Sequence, residues 1–265
     1  MKPAWKVYWT ILIAALFVFA CSPAPTPPSL PTDAPLPPPV ATSVPFYLNL
    51  TLNPTDKNET GQDPADYTVA AQIPTLTGSD DPRVTAFNAL AASIVQQGVD
   101  EFKSTMTDLQ PLPDIGAASG YTLKYTSLSA QPGYVSIKFE SEGYVEGMAH
   151  PYHVSRSLNY DLETGEEISL DSLFTVDSSY LQVIADYCAA QLQTRDIGFT
   201  DIFTDGAKPA AENYQVWNIT PDGLLITFNE YQVAPYAAGP QTVLVPYAEL
   251  ASIINPQGAL AGYLP

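Results

Sequence analysis

The run from Tyr144 to Phe174 constrains the fold more tightly than any other part of the chain. Gly147 opens a break, and His153 to Leu162 then alternates apolar and polar residues in the manner of a half-buried strand. Glu163-Thr164-Gly165 is a tight turn that leads into Ile168 and Leu170. Asp171-Ser172-Leu173-Phe174 reads as a single helical turn. A strand followed so closely by a turn needs a sheet, so the flanking segments must supply its other strands and the helices that cover it.

Those segments carry suitable patterns. Asp66 to Ile73 alternates through Tyr67, Val69, Ala71 and Ile73 and reads as a strand closed by Pro74. Asp81 followed by Pro82 is a helix cap with proline at the first helical position. Val84, Phe87, Ala91, Ile94, Gly98 and Phe102 then recur at helical spacing, which predicts a helix of about 20 residues. After a loop over Thr105 to Gly120, Tyr121–Ser129 and Tyr134–Ser141 read as strands joined at Gln131-Pro132-Gly133. A second helix, capped by Asp177, places Leu181, Ile184, Ala185, Cys188 and Leu192 on one face. Tyr214–Ile219 and Leu224–Phe228 form a hairpin across Thr220-Pro221-Asp222-Gly223. Val243-Leu244-Val245 is a further strand ending at Pro246, and Tyr247–Ile254 reads as a short terminal helix. The expected architecture is α+β: an antiparallel sheet packed on one face by two long helices. A small N-terminal subdomain (46–115) leads into a larger C-terminal one (116–265).

The first 45 residues read differently. Lys2 and Lys6 precede a short apolar run, Val7 to Ala20, and Cys21 follows Val18-Phe19-Ala20. The run is short for a membrane span, which takes about 20 apolar residues, and reads as a signal peptide over residues 1–21. Its end resembles a bacterial lipobox, which implies cleavage before Cys21, lipid attachment to its sulfur and an extracytoplasmic, membrane-anchored protein. Residues 22–45 are proline-rich, a tether that in polyproline II form could reach roughly 70 Å. The formal charge is −18, with only 10 Lys and Arg, and loss of Lys2 and Lys6 would take it to −20. So acidic a chain disfavours nucleic acid and would draw a cationic partner.

Chemistry is harder to find. His150 and His153 are three apart, and on a strand such positions point to opposite faces, so no metal or cofactor is expected and His150 is read as hydrogen-bonded. No Gly-x-Ser-x-Gly elbow is present. A carboxylate pair for hydrolysis has no specificity among 28 acids, so the chain is expected not to be an enzyme. Cys188 reads as a small buried hydrophobe. The loop from Tyr231 to Pro240 is the best recognition element, because tyrosines give large contact area at low entropic cost. Tyr231, Pro235 and Tyr236 lead the binding candidates, with His150 and Tyr152 beside the Gly147 break.

Three stretches carry a family resemblance. Gly147-Met148-Ala149-His150-Pro151 is similar to a Gly-Gly-Ala-His-Gly run, with Met148 and Pro151 in place of two glycines. Tyr160 to Phe174 matches a Tyr-Asp-Leu-x-Thr-Gly run ending in Leu-Phe, and Phe228–Gly239 with Val245–Leu250 matches an aromatic loop and the strand after it. Together they resemble the RsiV-like extracytoplasmic domain family, shared by a lysozyme-sensing anti-sigma factor and the accessory region of the peptidoglycan deacetylase PdaC. No sigma-binding segment is expected ahead of Cys21 and no deacetylase domain is expected, so neither activity is carried over. The resemblance implies a binding module for a cationic protein such as lysozyme. Peptidoglycan and an uncharacterised cell-wall hydrolase are the alternatives.

Overall fold

The computed structural model describes residues 45–63, 65–109, 118–128 and 132–263. Cys21, the tether except Pro45, and Gln131 of the expected turn lie outside them. The described residues belong to one compact unit.

The first sheet has six strands in sequence order: β1 (Thr51–Gly61), β2 (Tyr67–Thr77), β3 (Ser119–Ser127), β4 (Tyr134–Tyr144), β5 (Tyr152–Asp161) and β6 (Glu166–Glu167). A long helix, α1 (Pro82–Leu109), joins β2 to β3. A helical crossover carries the chain back to the end of the sheet at which β2 began, so β2 and β3 run parallel while every other pair is antiparallel. The sheet is therefore mixed rather than wholly antiparallel. β1 escaped the pattern reading because its residues are mostly polar and exposed, as suits an edge strand. β2 does not stop at Pro74. β3 pairs with it only as far as Ala71, and beyond that point Pro74 faces Pro54 of β1 and has no ladder with β3 to break.

The start of α1 follows the sequence expectation. Asp81 Oδ1 accepts the Arg83 backbone N–H at 3.0 Å, and the Arg83 guanidinium grips the same carboxylate at 2.8 Å. Val84, Phe87, Ala91, Val95, Val99, Phe102 and Met106 form the buried stripe, three to four residues apart. They pack on Tyr67, Val69, Tyr121, Leu123, Ile137, Phe139, Leu158 and Tyr160. One buried cluster thus runs from Tyr67 to Leu162, across the expected 115/116 boundary, because the parallel β2–β3 ladder ties both sides into one sheet.

A second cluster runs from Leu173 to Leu260. Here a three-stranded antiparallel sheet, β7 (Trp217–Ile219), β8 (Gly223–Phe228) and β9 (Gln241–Pro246), is covered by α2 (Tyr180–Gln193). The two long helices therefore cover different sheets. Ile184, Ala185, Cys188 and Leu192 of α2 are buried as expected. Its cap is Ser179 rather than Asp177, which turns the chain at φ 62 ahead of the helix. The terminal helix α3 is limited to Tyr247–Leu250, followed by turns.

The clusters meet at a buried polar seam. Ser136 Oγ donates to Asn159 Oδ1 at 2.7 Å, Asn159 Nδ2 to the Trp217 carbonyl at 2.8 Å, and Asn218 Nδ2 to the Ile137 carbonyl at 2.9 Å. Removing one member leaves buried partners unsatisfied, at about 1–3 kcal/mol each.

Candidate functional site

β5 pairs with β4 along its length but with β6 only at Tyr160 and Asp161. Part of the rest of its outer edge is closed by side chains, and the Asn159 carbonyl by the Ile168 backbone N–H. Directly after β8, Asn229 imitates a strand: its Oδ1 accepts the Ser155 N–H at 2.7 Å and its Nδ2 donates to the Ser155 carbonyl at 3.2 Å. Glu230 follows, and its Oε2 accepts the His153 N–H at 3.0 Å. These two residues pin the loop to β5. Gln232 fixes its base by accepting the Asn229 N–H and donating to the Gly206 and Asn213 carbonyls, and Val233 and Ala234 are buried.

What the loop holds out is aromatic. Tyr231 stands at φ 64, a left-handed conformation that costs a non-glycine residue about 1–2 kcal/mol, and it is 57% exposed. Pro235 is also exposed and leads into the turn Tyr236–Ala238. The Tyr236 ring stacks on His150 with centroids 3.7 Å apart and lies 6.0 Å from Tyr231. His150 Nδ1 is 2.8 Å from the Pro151 carbonyl, which fixes the ring beneath Tyr236.

Under this shelf lies His153. Its Nδ1 meets Glu230 Oε1 at 2.6 Å, and its Nε2 meets Glu142 Oε2, the cross-strand partner on β4, at 3.1 Å. A ring that donates from both nitrogens is an imidazolium. Burial works against the charge, but hydrogen bonds to Glu230 and Glu142 outweigh it and raise the pKa. The two carboxylates differ: the Glu230 side chain is 7% exposed and that of Glu142 56%. Beside His153 an open hollow of about 380 Å³ is lined by Thr122, Lys124, Glu140, Glu142 and Pro240.

The structure thus gathers Tyr231, Pro235, Tyr236 and His150. It does not bring Tyr152 to them. Tyr152 points to the α1 side of β5, where its ring covers Gly143 so closely that a methyl there would lie 2.3 Å away, and burial pushes its phenol up to about 12. His150 and His153 both approach Tyr236, at 3.7 and 6.5 Å. The rule for opposite strand faces fails because His150 lies in the loop before β5. Sequence reasoning missed Glu142 and Glu230. The first is visible only once the β4–β5 register is known, and the second only once the loop is seen to dock on β5.

Residues 171–248 match a family described as "Protein of unknown function (DUF3298)". That span contains the aromatic loop but neither histidine. The chain is 30% identical over 125 residues to the peptidoglycan-N-acetylmuramic acid deacetylase PdaC of Bacillus subtilis (strain 168), covering 46% of this chain and 27% of that protein. It is 29% identical over 108 residues to the immunogenic protein MPT64 of Mycobacterium tuberculosis, 41% of this chain and 47% of that one. The chain therefore spans less than half of either relative. A solved DUF3298 protein from Bacteroides fragilis superposes with a TM-score of 0.58 at 16% identity, covering 80% of this chain and 96% of that one. One from Pseudomonas aeruginosa PAO1 gives 0.51 at 17%, covering 78% and 94%. The fold is shared with solved members of that family. The sequence-level likeness to the deacetylase holds over part of the chain, and the α+β class holds throughout the described residues.

Proposed function

We propose that this protein is an extracytoplasmic binding domain, lipid-anchored through Cys21, that recognises a cationic envelope-targeting protein of the lysozyme type without chemistry of its own. The observation that carries the reading is the Tyr231–Tyr236 shelf, exposed at Tyr231 and half-buried at Tyr236, on a pinned loop beside carboxylates. Aromatic anchors of this kind dominate contact energy, and acidic surroundings steer a basic partner in. The formal charge of −18 favours the same partner class. His153 supports the absence of catalysis, because both ring nitrogens are engaged by carboxylates and neither stands ready as a base. The partial likeness to an enzyme named for peptidoglycan supports an envelope location.

The test is binding of the protein to hen-type lysozyme at low and moderate salt. Binding that salt weakens and that is lost in the Tyr231→Ala/Tyr236→Ala double variant supports the reading. Salt sensitivity with no effect of the double variant reduces it to charge attraction, and no binding at tens of micromolar removes the lysozyme-type partner. Peptidoglycan is the second reading, favoured by the same relative, and a pull-down on purified cell wall tests it.

A further inference from the structure

Glu142 and Glu230 hold His153 between them, but only one of the two contacts can be exchanged. Glu230 is buried and tied to the His153 backbone N–H as well as to Nδ1, so it keeps the ring whatever the ring's charge. Glu142 is exposed, meets only Nε2 of the ring, and lies at the lip of an open hollow. If His153 becomes neutral, the remaining proton stays on Nδ1 facing Glu230. The Nε2 lone pair then faces the Glu142 carboxylate, a repulsive pairing that leaves Glu142 in need of another cation.

We propose that Glu142 is the receptor carboxylate for a guanidinium or ammonium side chain presented by a protein partner, and that the His153 imidazolium occupies the place of that cation until it is displaced. This rests on the reading of the Tyr231–Tyr236 shelf as the contact surface and names the chemistry beside it. The Tyr236 ring, one face of which is stacked on His150, lies 6.5 Å from the His153 ring and gives an incoming cation an aromatic neighbour. Binding one cation releases one proton, from His153 Nε2 to solvent. The charged and titratable groups around the ring are Glu142 and Glu140 from β4, Lys124 from β3, Glu230, Tyr231 and Tyr236 from the loop after β8, and His150 from the loop before β5. Lys124 lies across from Glu140, whose ion pair is with Lys138, and no ion pair joins Lys124 to Glu142 among the described residues, which leaves Glu142 to the ring. The raised His153 pKa puts the exchange above the ordinary histidine range.

The probe is an acetylated tetra-arginine amide, titrated calorimetrically into the protein from pH 6 to 9 in buffers of differing ionisation enthalpy. Below the His153 pKa the competent fraction falls with each added proton, so affinity should rise about tenfold per pH unit and then level off. One proton should be released per peptide below that point. In His153→Gln the pH slope should vanish, and in Glu142→Gln peptide affinity should fall at every pH. Nitrogen-15 shifts of the His153 ring should show peptide deprotonating Nε2 at fixed pH, a readout that needs no variant. Affinity that is flat or falling with pH overturns the exchange, as does a slope that survives His153→Gln. A pH-flat affinity that still requires Tyr231 and Tyr236 overturns the exchange and leaves the shelf standing. A normal pH slope unaffected by the two tyrosine changes removes the shelf alone, and no binding at any pH removes both.

Discussion

Gly98 lies in the middle of α1 with Tyr121 of β3 directly against it. A methyl at position 98 would come within 2.2 Å of the Tyr121 hydroxyl and 3.2 Å of the ring carbon that bears it. On an open helix surface, glycine to alanine stabilises by about 1 kcal/mol. At this position the methyl must instead displace a buried ring, and overpacking of that kind costs about 1–3 kcal/mol. Gly98→Ala is therefore expected to destabilise the protein, by up to about 2 kcal/mol once the helix gain is set against the clash. Tyr121→Phe should change the sign. The hydroxyl is buried and makes no hydrogen bond of ordinary geometry among the described residues, with the polar side chains of Ser141 and Arg156 close by, so its removal alone should cost no more than about 1 kcal/mol. With the oxygen gone, the 3.2 Å contact relaxes by a few tenths of an ångström, and the helix gain of up to about 1 kcal/mol should surface. Urea unfolding of the four proteins, followed by far-ultraviolet circular dichroism, gives the cycle, and a coupling of about 1–3 kcal/mol is expected. Equal effects of Gly98→Ala in both backgrounds would refute the reasoning, since the clash would then not be with the hydroxyl.

Further outcomes follow from the loop and the cores. Asn229→Ala should orphan the N–H and carbonyl of buried Ser155, destabilise by about 1–3 kcal/mol in urea unfolding, and speed amide exchange at Ser155; unchanged exchange there would mean that Asn229 does not close the edge. His153 has a folded pKa above its unfolded one, so its contribution is full below about pH 6.5 and lost as pH rises through the higher folded value. Stability relative to His153→Gln should shrink across that window, and a constant difference would count against the pairing. Asp81 is the opposite case: the Arg83 guanidinium holds its carboxyl down to about 2, so its cap contribution should persist above the ordinary aspartate range and fade only as pH drops towards about 2. Burial pushes the Cys188 thiol up to about 12, so a disulfide reagent should label it at the rate of global unfolding; labelling at the rate of a free peptide thiol would contradict its place in the core.

Sequence periodicity located the stripe of α1, the buried face of α2 and most strands, because each buries one face against a single neighbour and burial imposes the period. It could not give the order of strands or the direction of β2 against β3. Those depend on which segments meet after α1 crosses the sheet, and a crossover leaves no periodic mark. β1 was missed for a related reason, since a polar edge strand has no apolar alternation to read. The site was half legible. Tyr231, Pro235 and Tyr236 announce themselves as aromatic and proline residues in a loop, while the significance of Glu142 and Glu230 depends on register and docking. Tyr152 was misplaced by one position, and one position along a strand is the difference between its two faces.

The placement of the loop follows from how the two cores are joined. A β5 edge left open would expose a row of unpaired backbone groups, and the segment directly after β8 closes it at His153 and Ser155 with single side chains rather than with a strand. Side-chain closure spares the loop from being a strand itself: the backbone of Asn229 and Glu230 is free to turn outward at Tyr231 because their side chains do the pairing. The strained φ of Tyr231 is then supported from both sides, by Glu230 on β5 and by Gln232 on the second core. An aromatic shelf built this way is rigid before any partner arrives, so little ordering entropy is left to be lost on binding. The same construction places the only two histidines of the chain beside the shelf, one as its floor and one between two carboxylates. The proposed recognition surface and the proposed proton linkage are therefore adjacent for a structural reason: both are consequences of docking one loop on one open edge.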